Sequence, residues 1–154
     1  MNSRVATTAT ALSLIVSLIS ATSEEIPFSS CTADEPTPDT VTMDCEGMSH
    51  GTCILKKGQT HTLTADFSPD ISSTRVNTYV AWKSWVEMPL PRENENTCHN
   101  FIECPLREGT ETTFTYPLNI QNFWMRRRYP MVWKLTDMDT DETVLCFVIR
   151  IQIV

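Results

Sequence analysis

Apolar and polar residues alternate along most of this chain with a period of two. From Thr60 to Phe67, Leu63, Ala65 and Phe67 take one face and Thr62, Thr64 and Asp66 the other, the pattern of a half-buried strand. Ser68-Pro69-Asp70 ends it. Glu111 to Leu118 repeats the pattern, with Phe114, Tyr116 and Leu118 opposed to Thr113 and Thr115. Tyr129 to Asp137 sets Tyr129, Met131, Trp133 and Leu135 together; Pro130 cannot donate to a ladder, which places the start of this strand at an edge or bulge. In the last strand, Thr143 to Val154, Leu145, Phe147, Ile149, Ile151 and Ile153 share a face, and Cys146, Arg150 and Gln152 fall on the other. Val76 to Met88 is read as one long strand with Val76, Val80, Trp82, Val86 and Met88 on its even face, blurred by Tyr79, Ala81 and Trp85 and ended by Met88-Pro89-Leu90-Pro91. Thr40 to Cys45 makes a shorter one. No helical period of useful length is present in this part of the chain, so the strands and turns predict an all-β antiparallel sandwich.

The apolar run ALSLIVSLIS, Ala11 to Ser20, does not alternate; it follows Arg4 and precedes the small residues Ala21 to Ser23. It is shorter than the roughly 20 residues of a membrane-spanning helix and has the flanks of a secretory signal. Residues 1–21 are therefore read as a signal peptide, with cleavage after Ala21 or Ser23, and residues 24–154 as one domain. All six cysteines lie in that domain, an even number in a chain bound for an oxidising compartment. Cys45 and Cys53 are near enough in sequence to staple one loop, and Cys98 and Cys104 another, which leaves Cys31 for Cys146. The stretch Cys98 to Gly109 then becomes a stapled loop joining the two walls of the sandwich. For Cys146, either the bridge sits on the less apolar face of the last strand or a bulge shifts the phase.

Charge narrows the function. The chain has 12 Lys+Arg against 19 Asp+Glu, a net charge of -7, which argues against nonspecific nucleic-acid binding and favours solubility; a monomer is expected. Its one basic cluster, Arg126-Arg127-Arg128, directly follows Phe123-Trp124-Met125. This is either a solvated loop or a contact for anionic headgroups at a pocket rim. Gly47-Met48-Ser49-His50-Gly51 matches G-x-S-x-G, but a nucleophile elbow needs a strand, a strained turn and a helix on a parallel sheet. Here the pentapeptide lies within the Cys45-Cys53 loop, so a serine hydrolase using Ser49 is the remote reading and the chain is taken as no enzyme. Asp137, Asp139 and Asp141 alternate as in a calcium loop, yet Glu142 and Val148 stand where glycine and glutamate are required; an acidic hairpin turn fits better. His50, His61 and His99 lack metal-ligand spacing, so neither metal nor cofactor is expected. Asn96-Thr97-Cys98 is the glycosylation-like triplet, and its cysteine is assigned to a disulfide, which leaves a glycan-based lysosomal address unsupported.

In order along the chain come Cys31, the pair Cys45 and Cys53, Lys57-Gly58-Gln59 and Val86 to Pro91. They are followed by Cys98 to Cys104 with Pro105-Leu106 and Gly109, then Tyr116, Trp133 with Leu135, and Cys146 before a terminal Ile-Gln-Ile-Val. This ordered set resembles the ML-domain lipid-recognition family, that of the Niemann-Pick C type 2 proteins and group 2 mite allergens, over essentially the whole mature chain. The resemblance implies an immunoglobulin-like sandwich of two sheets with an internal apolar cavity, and it agrees with the three disulfides. It also implies a sterol, fatty acid or similar lipid held between the sheets. Carried over by position, Leu90 and Ile120 line the pocket. The family's aromatic at the pocket mouth falls by spacing on Trp124, while the Tyr129-Pro130 dipeptide comes five residues later. Met88, Phe114, Leu118 and Trp133 complete the expected lining, and Phe123 with Arg126, Arg127 and Arg128 the rim that touches a membrane. The expected function is a secreted lipid-binding and transfer protein, extracellular or in the lysosomal lumen. The alternative is a lipid-dependent recognition protein of innate immunity or chemosensation, with a receptor as partner.

Overall fold

The structure, a computed structural model, describes residues 23–90 and 97–154. The signal segment at 1–21, Pro91 and Asn96 of the glycosylation-like triplet lie outside them. The described chain holds eleven strands and no helix. The first six are β1 (Glu24–Glu25), β2 (Phe28–Ser30), β3 (Thr40–Met43), β4 (Gly47–Ser49), β5 (Thr52–Leu55) and β6 (Thr60–Phe67). They are followed by β7 (Val76–Trp82), β8 (Met88–Pro89), β9 (Thr112–Asn119), β10 (Arg128–Asp137) and β11 (Thr143–Ile153). One sheet has the order β1-β3-β6-β9; the other runs β4-β5-β11-β10-β7-β8, with β2 also paired to β11. All neighbours are antiparallel except β5 and β11.

The period-two faces meet between the sheets. His61, Leu63, Ala65 and Phe67 of β6 are buried, as are Phe114 and Leu118 of β9. Opposite them lie Met131, Trp133 and Leu135 of β10 and Leu145, Phe147, Ile149, Ile151 and Ile153 of β11. Cys146 takes the other face of β11, where it joins Val132, Val148 and Cys31 in a small apolar cluster. The one register shift along β10 and β11 falls at Leu135/Thr136, beyond Cys146, so the bridge sits on the less apolar face. The disulfides are Cys31–Cys146, Cys45–Cys53 and Cys98–Cys104.

One expectation is corrected and another is explained by it. The run Val76 to Met88 is not one strand: β7 stops at Trp82, the chain bends over residues 84–86, and β8 returns with Met88 opposite Trp82 and Pro89 opposite Ala81. Pro130 lies in the first part of β10, Arg128 to Pro130, which pairs with β11 alone, since the β7 register begins at Met131; the start of this strand is thus at an edge, as expected. Lys83 N–H donates to the Pro130 carbonyl at 2.8 Å. Pro130 has no N–H to return, so the ladder ends there and β7 folds back.

The segment from Cys98 to Gly109 does connect the sheets, since it leads from β8 of one to β9 of the other. Phe101 C=O accepts from Thr115 N–H of β9 at 2.8 Å, and Leu106 bridges Ser73. The stapled loop is thereby tied to β9 and to the β6–β7 connection.

Candidate ligand pocket

At the end of the sandwich where β7 turns into β8 and β9 leaves toward β10, a pocket of about 530 Å³ opens. Its walls are Trp82, Pro89 and the adjoining Leu90 on the side of the seven-stranded sheet, Tyr116 to Asn119 from β9, Phe101 from the stapled loop, and Gln121, Phe123 and Trp124 from the β9–β10 connection. Leu90 is held there by its N–H bond to the Val80 carbonyl at 2.9 Å. The Phe101 ring is 5.0 Å from that of Tyr116 and edge-on to Phe114 at 6.5 Å. Such aromatic walls give large apolar area with defined geometry.

Trp82 forms the rim. Its ring lies 4.7 Å from Trp124, edge to face, and 4.4 Å from Tyr129. Of the two candidates for the mouth aromatic, Trp124 borders this pocket and Tyr129 the adjoining hollow, and both rings touch Trp82. Beyond Tyr129 lies a second hollow of about 360 Å³, lined also by Lys83, Trp85, Met88, Arg127 and Arg128. Arg127 is 5.2 Å from the centre of the Tyr129 ring, within cation–π range, and Tyr129 OH donates to the Met125 carbonyl at 3.2 Å. Arg128 Nε donates to Gln152 Oε1 at 3.1 Å, and the three arginines with Gln152, Ile153 and Val154 border a third hollow of about 370 Å³.

The β9–β10 connection is propped from below. Gly58 N–H donates to the Ile120 carbonyl at 2.7 Å, and Ile120 N–H to the Gln59 carbonyl at 2.9 Å. Gly58 has φ near +72°, a backbone conformation that favours glycine in the Lys57-Gly58-Gln59 turn, and a Cβ there would have to displace the Asn122 side-chain amide, whose Oδ1 lies 2.9 Å away.

Leu90, Leu118 and Trp124 of the expected lining border the large pocket, as does Phe123 of the expected rim. Tyr129 and Met88 face the adjoining hollow. Ile120, Phe114 and Trp133 are fully buried in the inter-sheet core. Around the openings Trp85 is 103% exposed and Phe123 78%, with Val86, Met88 and Met125 also in water. Trp82 and Phe101 were missed from the site by sequence reasoning. Trp82 was absorbed into an apolar face that the bend at 84–86 breaks, and for Phe101 an aromatic inside a stapled loop was the available signal.

The other chemical motifs have structural roles. Gly47 to Gly51 forms the β4–β5 hairpin, with His50 and Gly51 at positive φ in its turn, so Ser49 sits on no elbow. Its Oγ is 3.2 Å from Nδ1 of the adjacent, exposed His50. Asp137 folds the acidic turn by accepting from Asp139 N–H and Thr140 N–H, each at 2.8 Å. Cys31, Glu35 and Cys146 lie within 4.8 Å of one another, but both sulfurs are spent in the disulfide. His61 spends both ring nitrogens: Lys56 N–H donates to Nε2 at 3.1 Å, and Nδ1–H donates to the Asp44 carbonyl at 2.7 Å.

The family model described as "ML domain" matches residues 25–153. The "NPC intracellular cholesterol transporter 2 homolog a" of Drosophila melanogaster is 29% identical over 103 residues, 66% of this chain and 69% of its own. The "NPC intracellular cholesterol transporter 2" of Danio rerio is 25% identical over 115 residues, 74% of this chain and 76% of its own. Among solved structures, a Niemann-Pick type C2 protein from the Japanese carpenter ant superposes with a TM-score of 0.73 at 15% identity, covering 84% of this chain and 100% of that one.

Proposed function

Because this chain belongs to the ML-domain family, we propose that it is a secreted, non-enzymatic lipid carrier that takes a sterol, fatty acid or similar molecule through the aromatic mouth and holds it between its two sheets. The observation that carries this reading is the pocket of about 530 Å³ between the ends of the two sheets, with Leu90, Leu118, Trp82 and Trp124 in its walls. That size and apolar lining suit a small-molecule site. The cholesterol transporters of fruit fly and zebrafish support a sterol as the first ligand to test, and favour a carrier over a recognition protein. Three disulfides suit an oxidising, extracellular or lysosomal setting. Burying roughly 400 Å² of apolar ligand surface is worth on the order of 10 kcal/mol gross, from which association costs subtract much.

Delivery requires meeting a bilayer. Trp85, Val86, Met88, Phe123 and Met125 stand in water around the openings, beside Arg126, Arg127 and Arg128 on a protein of net charge -7. Aromatic side chains next to cations match the interface of an anionic membrane, and this face is the proposed docking surface.

The test of the carrier reading is lipid extraction from natively purified protein, identified by mass spectrometry, with titration of a fluorescent sterol probe. Leu90→Asp should lower probe affinity at least tenfold, since the pocket then holds a carboxylate that must stay unpaired or protonate. The far-ultraviolet spectrum should remain that of the wild type. Undiminished binding by this folded variant would move the site elsewhere. Ile120 is the poorer choice, because a carboxylate at that fully buried position strikes the fold itself.

A further inference from the structure

The space between the sheets is apolar apart from a few polar groups, and one of these has a donor left over. Trp133 is fully buried on the inner face of β10, its ring stacked on Phe147 of β11 at 5.8 Å and 8°. Its Nε1–H is the buried side-chain polar atom without a hydrogen-bond partner among the described residues. The other interior groups differ. Thr78 and Thr97 bond each other at 2.7 Å, and both nitrogens of His61 are paired. Buried polar groups are nearly always satisfied, because desolvation without a partner is not recovered. An unpaired donor on the inner face of β10, between the sheets where the proposed function holds its ligand, points to a partner on that molecule.

We propose that Trp133 is a specificity-determining residue of the lipid site, its Nε1–H donating to an acceptor oxygen at the end of the ligand that travels deepest between the sheets. This rests on the carrier reading. Trp133 lies on the same face of β10 as Tyr129 at the mouth, four residues further along, which is about 13 Å at the rise of a strand. A molecule that enters apolar end first and leaves its main polar group at the mouth presents its far end to Trp133. Thr78 stands diagonal to it, since Val80 is the partner of Trp133 across β7 and Thr78 that of Leu135. The deep end is therefore not uniformly hydrocarbon. The favoured ligand class has two polar ends, such as a sterol oxygenated on its side chain or an ω-hydroxy fatty acid. A plain alkyl end leaves the donor unpaired.

The experiment compares dissociation constants of the full secreted protein for cholesterol and 25-hydroxycholesterol, in the wild type and in Trp133→Phe, which removes the N–H and keeps an aromatic ring on Phe147. The wild type should prefer the oxygenated sterol by on the order of fivefold, the worth of one neutral hydrogen bond, and Trp133→Phe should bind both alike. Should that variant fail to fold, the wild type still decides. Of its four tryptophans, the Trp133 indole N–H resonance should move downfield with 25-hydroxycholesterol and not with cholesterol. Equal affinities in the wild type, or an indole resonance that answers both sterols alike, would overturn the proposal. Hexadecanoic and 16-hydroxyhexadecanoic acid give the same comparison if sterols do not bind. Failure of all four probes would instead remove the carrier reading beneath it.

Discussion

Glu35 and Asp137 show how single carboxylates fasten the edges of this sandwich. Lys134 Nζ donates to Glu35 Oε1 at 2.7 Å and Thr143 adds its hydroxyl, which ties the segment after β2 across the outer face of β10 and β11. The hydrogen bond from Lys134 is the largest influence holding the Glu35 carboxyl below its usual range, with burial opposing it. For Asp137 the largest is the Ser73 hydroxyl, which also lies 3.2 Å from the Arg75 carbonyl; burial opposes, and Thr140 and Asp139 N–H add to the lowering. Both carboxyls titrate lower folded than unfolded. Each therefore contributes stability that is present above the unfolded carboxylate range and is lost as pH falls through the lowered native value. Urea midpoints should be level from neutral pH to about 5 and drop below about 4. Glu35→Gln with Asp137→Asn should cost about 1 kcal/mol per site at neutral pH and flatten the acid limb. A double variant as acid-sensitive as the wild type would assign that limb to other groups.

Among the elements, the β7–β8 hairpin is the one that the hydrophobic pattern concealed. Val86 and Met88 continue the even face of Val76 and Val80, and nothing in a period of two announces that Pro130, more than forty residues later, will end the ladder. The reversal is a tertiary effect of one absent N–H on a neighbouring strand. By contrast β6, β9 and the inner face of β11 were legible, because each keeps one face dry along its length. The pocket was legible where the family pattern names positions, as at Leu90 and Trp124. It was not legible at Trp82, whose place at the rim depends on that reversal. The hairpin also carries Trp85 into water at its tip. Trp85→Ser should leave stability within about 0.5 kcal/mol and weaken association with anionic vesicles. Replacing Arg126, Arg127 and Arg128 by Gln should slow transfer to anionic vesicles at low salt and leave neutral vesicles nearly unaffected, since a basic residue near such a surface is worth about 1 kcal/mol and is screened by salt. Equal losses on both vesicle types would show that the arginines hold ligand or fold.

At the scale of the whole molecule, the Cys31–Cys146 bridge spans 115 residues, against 8 for Cys45–Cys53. On the chain-entropy account the first is worth about 5 kcal/mol and the second roughly 2.5. Denaturant titration of the two Cys→Ser double variants should rank them in that order, and the reverse order would put the enthalpy of local packing above loop length. The bridge ends on β11, which also holds β2 and β5 on one side and β10 on the other. It is the last of the described strands and lies in the interior of its sheet. The centre of this sheet is therefore set late in the sequence: β2, β5 and β10 all precede the strand that they flank, and four other cysteines lie between Cys31 and its partner. A premature stop within β11 would remove the centre of the sheet, not its fringe.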